Sequence, residues 1–210
     1  MTADSRKLII QVNIRKNIYN YGFLLKRGVR MLFSYNQCIT LYGNDYEIKK
    51  QLDKKNIYKL EKGIYSDREY EPELAIISMK YPYAVFGMDS AFYYQGLTDT
   101  IPGIYHLVTN KDATKIRDKR VKQTFEQPEY FSAGIEDKRY NGIKIKVYSR
   151  ERMLVDLIRF KKNFSFDYYK EIINRYRNIT YELDIQEVQE YAYVLPKTNL
   201  ILDALESEVF

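Results

Sequence analysis

A chain of 210 residues with 45% hydrophobic and 30% charged residues has room for a packed core in one large or two small domains, and its composition excludes a disordered polypeptide. A lone cysteine, Cys38, excludes an internal disulfide, and no apolar run reaches the roughly 18 residues needed to cross a bilayer. The net charge of +6 is unevenly placed: residues 1–70 hold fourteen Lys/Arg against seven Asp/Glu, residues 111–152 twelve against seven, and residues 181–210 one against seven.

In chain order, residues 5–19 place Ile10, Ile14 and Ile18 four apart among basic residues, which predicts an amphipathic basic helix. Tyr35, Cys38, Ile39 and Tyr42 form one helical stripe, with Ser34 as its N-cap and Gly43 as its stop. Only Gly43 and Asn44 separate that helix from the next, where Asn44 and Glu47 have the spacing of a capping box and Ile48 and Leu52 face inward. The second helix is expected over Asp45–Lys55. Ile57 to Leu60 then read as a strand, Glu61 and Lys62 as a turn, and Gly63 to Tyr65 as the returning strand. Helix, tight turn, helix and hairpin predict an N-terminal winged helix-turn-helix DNA-binding domain over residues 1–70.

A second, mixed α/β domain with a helical C-terminus is expected over residues 71–210, making the fold class α/β in the α+β sense. Pro72 suits the first turn of a helix, residues 83–87 read as a buried strand, and a helix from Asp89 or Ser90 to Gln95 is stopped by Gly96. Residues 104–109 read as another strand, and Asn110 to Arg120, too polar to bury, as a loop or a solvated ribbon. Residues 142–149 alternate apolar and basic side chains, as in a half-exposed strand. Ser149 then caps a helix whose stripe is Met153, Leu154, Leu157 and Ile158, and helices follow at 166–177, 184–194 and 198–207.

Chemistry is sparse. One histidine, His106, and one cysteine cannot assemble an ordinary zinc site, and neither common phosphate-cradling glycine motif is present, so no metal or cofactor is expected. The expected role is not enzymatic. A metal-dependent nuclease built from Asp89, Glu151 and Asp156 is the rival, and an RNA- or toxin-binding module using the 22 tyrosines is another. Nothing at the start of the chain has the build of a secretory signal, which predicts a reducing cytosol and no membrane partner.

Double-stranded DNA is the favoured ligand. The outer face of the second helix, with Asn44, Asp45, Tyr46, Lys49, Lys50, Gln51, Lys54 and Lys55, would enter the major groove. Lys59 and Lys62 in the wing would meet the adjacent backbone. A second basic face is drawn from Lys111, Lys115, Arg117, Lys119, Arg120, Lys122, Lys144 and Lys146, the last two favoured because they share one side of their strand.

Three stretches carry a family resemblance. KLEKGIYSD resembles the wing of abortive-infection antitoxins of the AbiEi family, YPYAVFGMDSAFYYQGLTDTIPGIYHLVTN resembles their strand, Ser-Ala helix, Gly-Leu-Thr-Asp turn and strand, and KVYSRERMLVDLIR resembles their Glu-Arg-Thr-Leu-x-Asp-Leu helix, with Met153 in place of the usual Thr. The likeness spans roughly residues 35–160. Met88 and Asp89 stand where many members have a Ser-His pair, so no role for that histidine carries over. The motif residues Ser90, Gly96, Leu97, Glu151, Arg152 and Asp156 are expected to be structural. The resemblance implies the antitoxin half of a type IV toxin–antitoxin system. Such a protein binds inverted repeats in its own promoter, as two copies of a chain that can be monomeric in solution, and opposes a nucleotidyltransferase-like toxin without a stable complex.

Overall fold

The computed structural model describes residues 31–210 and is mixed α/β, with two separate sheets. The basic helix expected over residues 5–19 lies outside the described residues. The chain divides into two compact units, one ending at Tyr81 and one running from Pro82 to Phe210. Among the described residues no helix is long and apolar enough to cross a membrane.

In the first unit, β1 (Leu32–Ser34) leads directly into α1 (Tyr35–Tyr42). Ser34 and Gln37 form a reciprocal capping box, which satisfies two of the helix's orphan donors and fixes where it starts. Gly43 closes the helix at φ +92°, a left-handed backbone that a side chain rarely adopts, and donates its N–H to Ile39 O. The side chain of Asn44 accepts from Glu47 N and starts α2 (Asp45–Asp53).

That second helix ends two residues earlier than the sequence suggested. Lys55 takes φ +56° and donates to Leu52 O while Asn56 N reaches back to Gln51 O, the paired bonds of a Schellman closure. A hairpin follows, β2 (Tyr58–Glu61) and β3 (Ile64–Ser66), turning at Lys62-Gly63. The antiparallel sheet order β1-β3-β2 places the unpredicted β1 beside the returning strand. Phe33, Cys38, Ile48, Ile57 and Tyr65 fill the core between helices and sheet, with Leu52 partly buried against them. A further helix, α3 (Glu73–Lys80), belongs to this unit and buries Leu74, Ala75 and Ile77; its Lys80 pairs with Glu61 at 2.8 Å.

The second unit is built on a five-stranded sheet of order β6-β5-β4-β8-β7. Its strands are β4 (Val85–Phe86), β5 (Tyr105–Asn110), β6 (Val121–Glu126), β7 (Ile135–Tyr140) and β8 (Ile143–Tyr148). β4 runs antiparallel to β5 and parallel to β8, β5 parallel to β6, and β7 antiparallel to β8. Between strands lie α4 (Met88–Tyr94) and the short α5 (Pro128–Phe131).

The sheet is followed by α6 (Arg150–Arg159), α7 (Phe166–Asn178), α8 (Ile185–Val194) and α9 (Thr198–Ala204). Ser149 caps α6 as expected, accepting from Arg152 N. The helix is not merely striped, however: every residue from Arg152 to Arg159 is buried, because α4, α8 and α9 all pack against it. A helix enclosed on all sides must satisfy its charges internally. It does so through Arg152 and Arg159, which both reach Asp156 and Glu126 at 2.8–3.3 Å.

Candidate nucleic-acid interface

Among the described residues of the first unit, the polar side of α2 and the turn of the β2–β3 hairpin concentrate the cations that make no close ion pair. With Ile48 buried and Leu52 packed on the core, the helical period turns Asp45, Tyr46, Lys49 and Lys50 to solvent. Tyr46 is 73% exposed. Lys49 makes no ion pair among the described residues, and Lys50 makes a loose one with Glu47 at 3.4 Å. Both side chains of that pair are well exposed, so water screens it and the lysine stays available to a stronger anion.

Three residues of the expected reading face are already engaged. The hydroxyl of Tyr35 donates to both carboxylate oxygens of Asp45 at 3.0 and 3.1 Å, which ties the start of α2 to α1; that bond raises the Tyr35 pKa. Gln51 accepts from Asn56 Nδ2 at 2.8 Å and is only half exposed. Asn44 is exposed but spends its side-chain oxygen on the cap. Lys54 and Lys55 sit on the closing turn past the helix, and Lys59 and Lys62 project from the hairpin; all four are exposed. The arrangement groups Lys49, Lys50, Lys54, Lys55, Lys59 and Lys62 on one continuous stretch of helix, turn and hairpin.

The second set of cations divides. Lys111, Lys115, Arg117 and Lys119 lie on the loop between β5 and β6 and are exposed, without an ion pair among the described residues. That loop is not simply solvated. Ile116 is buried, and Gln123 fastens it by accepting from Ile116 N while donating to Thr109 Oγ1 and Thr114 O. Anchored underneath, the loop presents its charges outward. Arg120 is instead held bidentately by Asp118, Lys144 is paired with Asp137 at 2.8 Å, and Lys146 donates to Pro82 O. Lys144 and Lys146 share one side of β8, as the alternation predicted, yet Asp137 and Arg139 lie opposite them on β7. Lys122 is exposed on β6, in register with His106 and on the same side of its strand as Thr124.

The nuclease carboxylates do not converge. Asp156 is committed to Arg152 and Arg159, and Glu151 accepts from Asp184 N. Among the described residues no group of three or more His, Cys, Asp or Glu side chains has a metal-holding arrangement. Ser90 accepts from His106 N at 2.8 Å and thereby ties α4 to β5. No known family model matches the sequence, and no curated protein matches it.

Proposed function

We propose that the first unit is a winged helix-turn-helix and that the protein is a promoter-binding antitoxin of the AbiEi type. The observation that carries the DNA-binding part is the order α1, two-residue turn, α2, hairpin, together with six exposed lysines running from α2 through the hairpin. A helix whose inner side is Ile48 and Leu52 and whose outer side is Tyr46, Lys49 and Lys50 fits a major groove, with Lys59 and Lys62 at the flanking phosphates. The antitoxin part rests on the resemblance of residues 35–160. In that role two copies bind an inverted repeat in their own promoter, repress it, and oppose a nucleotidyltransferase-like toxin without holding it. The protein acts in the cytosol, without a cofactor.

The deciding experiment is fluorescence anisotropy of the full chain on the duplex upstream of its own gene. Reversing charge in the double variant Lys49→Glu/Lys50→Glu abolishes specific binding while circular dichroism and melting stay as in the parent. Unchanged binding by a folded double variant would sink the assignment. The antitoxin part has its own check: the neighbouring gene encodes a nucleotidyltransferase-like toxin, and co-expression rescues growth without co-purification. A stable complex between the two proteins, or an absence of rescue, removes it.

A further inference from the structure

The second unit holds a cavity of about 420 Å³ that the DNA reading leaves unused. It lies on the β5–β6 side of the sheet between the start of α4 and the start of α7, within the size range of about 300–1,000 Å³ usual for small-molecule sites. Three features there lack a purely structural account, and a fourth supplies a free charge. His106 is 5% exposed and bonds Thr124 Oγ1 through Nε2, but its buried Nδ1 has no partner among the described residues. Asp89, half-buried, has neither hydrogen bond nor ion pair among them, although burial raises its carboxyl pKa and a nearby Lys122 opposes that rise. Lys122, exposed at the cavity's rim, makes no ion pair among the described residues and leaves its ammonium available there. Finally, Met88 beside them is buried at φ +44°, a strained backbone of the kind that concentrates at functional sites.

We infer that this cavity binds a small zwitterion with an apolar body, of the α-amino acid type. An unpaired carboxylate and an unpaired ammonium within electrostatic reach of each other match a ligand whose own ammonium and carboxylate are adjacent. Phe164 and Tyr168 line the same cavity and would cover the ligand's side chain. A nucleotide fits less well, because a phosphate drawn to Lys122 would face the Asp89 carboxylate at close range. The inference is independent of DNA binding, since all its residues lie in the second unit.

Calorimetric titration of the full chain with L-phenylalanine, 3-phenylpropionate and phenethylamine tests it. L-Phenylalanine binds one to one, and removal of either its amino or its carboxyl group weakens binding about tenfold or more. Asp89→Asn closes the gap between the amino acid and 3-phenylpropionate, and Lys122→Gln closes the gap to phenethylamine, with melting temperatures held near the parent's. Equal affinity for all three probes, no binding of L-phenylalanine or L-leucine at about 10 mM, or preferential binding of a nucleoside monophosphate each overturns the inference.

Discussion

In the unit ending at Tyr81, Lys49, Lys54, Lys59 and Lys62 stand exposed with no ion pair among the described residues. In the unit from Pro82 onward, Arg152 is fully buried, Arg159 nearly so, and Arg120 and Lys144 are paired with neighbouring carboxylates. Residues 1–70 and 111–152 carry similar excesses of basic residues, yet the described cations of the two stretches are placed differently. A buried cation is held by its partners and is lost to any external polyanion, whereas an exposed one is held only by water. Counting charges along the sequence therefore overstates the second basic face, where Arg120, Lys144 and Arg152 are already held by carboxylates. Within the second unit, the exposed loop cations Lys111, Lys115, Arg117 and Lys119 are better placed for an outside contact than the strand pair Lys144 and Lys146.

The contrast breaks most visibly at Arg152. Its guanidinium donates to Asp156, Glu126 and the carbonyl oxygens of Tyr130 and Ala133, clasping β6, α5 and the approach to β7 onto α6. Arg152→Ala strands those acceptors in a dry interior and costs about 3–5 kcal/mol, measured by urea unfolding. Arg159 still bridges Asp156 and Glu126, which places the loss toward the lower end. An equal change at Lys49 leaves stability nearly untouched, because an exposed lysine without a partner has little to lose. Gly134 belongs to the same clasp. It holds φ +77°, and an added Cβ would stand 2.5 Å from Arg152 Cβ, so Gly134→Ala also lowers the second unit's stability.

Ser34, Gly43, Asn44 and Ser149 are local devices whose hydrogen bonds reach three or four residues, so α1, α2 and α6 were legible in the sequence at their starts and α1 also at its end. Strands β6 (VKQTFE) and β7 (IEDKRY) were not. They are the two edges of the five-stranded sheet, and an edge strand tolerates the charge and polarity that hide an alternating pattern. β1, three residues long, is too short to show any period. His106 was expected to be structural, and its bonds to Ser90 and Thr124 agree with that in part. The cavity around it draws on segments from Met88 to Tyr168, a meeting no local pattern announces.

His106 supplies the next effect in size. Burial, with help from Lys122, lowers its pKa from 6.5 to about 4, so the unfolded chain takes up the proton first as the solution is acidified. The second unit is fully stabilised by the neutral ring above about pH 6.5 and loses that contribution as pH falls to about 4. Over that window the loss attributable to this residue is about 3 kcal/mol. Carboxylates titrate in the same range, so the readout is the difference between the parent and His106→Gln. The parent's stability falls more steeply between pH 6.5 and 4 than the variant's. Equal slopes would mean that the ring is protonated in the fold.

Salt dependence sharpens the contrast between the two basic faces. Each phosphate neutralised contributes about 0.9 to the slope of log affinity against log salt. The neutral double variant Lys49→Gln/Lys50→Gln loses about two contacts, lowering the slope by about 1.8 and the affinity by one to two orders of magnitude, roughly. Lys111→Gln/Lys115→Gln lowers it by less, and Lys144→Gln/Lys146→Gln by least, because those two already satisfy Asp137 and Pro82 O. A larger loss from the β8 pair than from the loop pair would reverse the ranking.

The smallest effect separates fold from function at one residue. Lys55 carries the left-handed turn that closes α2, where a side chain costs about 1 kcal/mol relative to glycine. Its N–H bond to Leu52 O and the Asn56 bond to Gln51 O are made by backbone and survive the change. Lys55→Gly therefore raises stability by up to about 1 kcal/mol, offset in part by the greater freedom glycine has in the unfolded chain. If Lys55 also touches a phosphate, the same variant loses affinity and its salt slope drops by about 0.9. A more stable protein with an unchanged slope confines Lys55 to closing the helix and leaves Lys49, Lys50, Lys54, Lys59 and Lys62 as the contacting set. A less stable one would mean that the lysine's stem packs across the end of α2, and that the turn is held by its side chain as well as by its backbone.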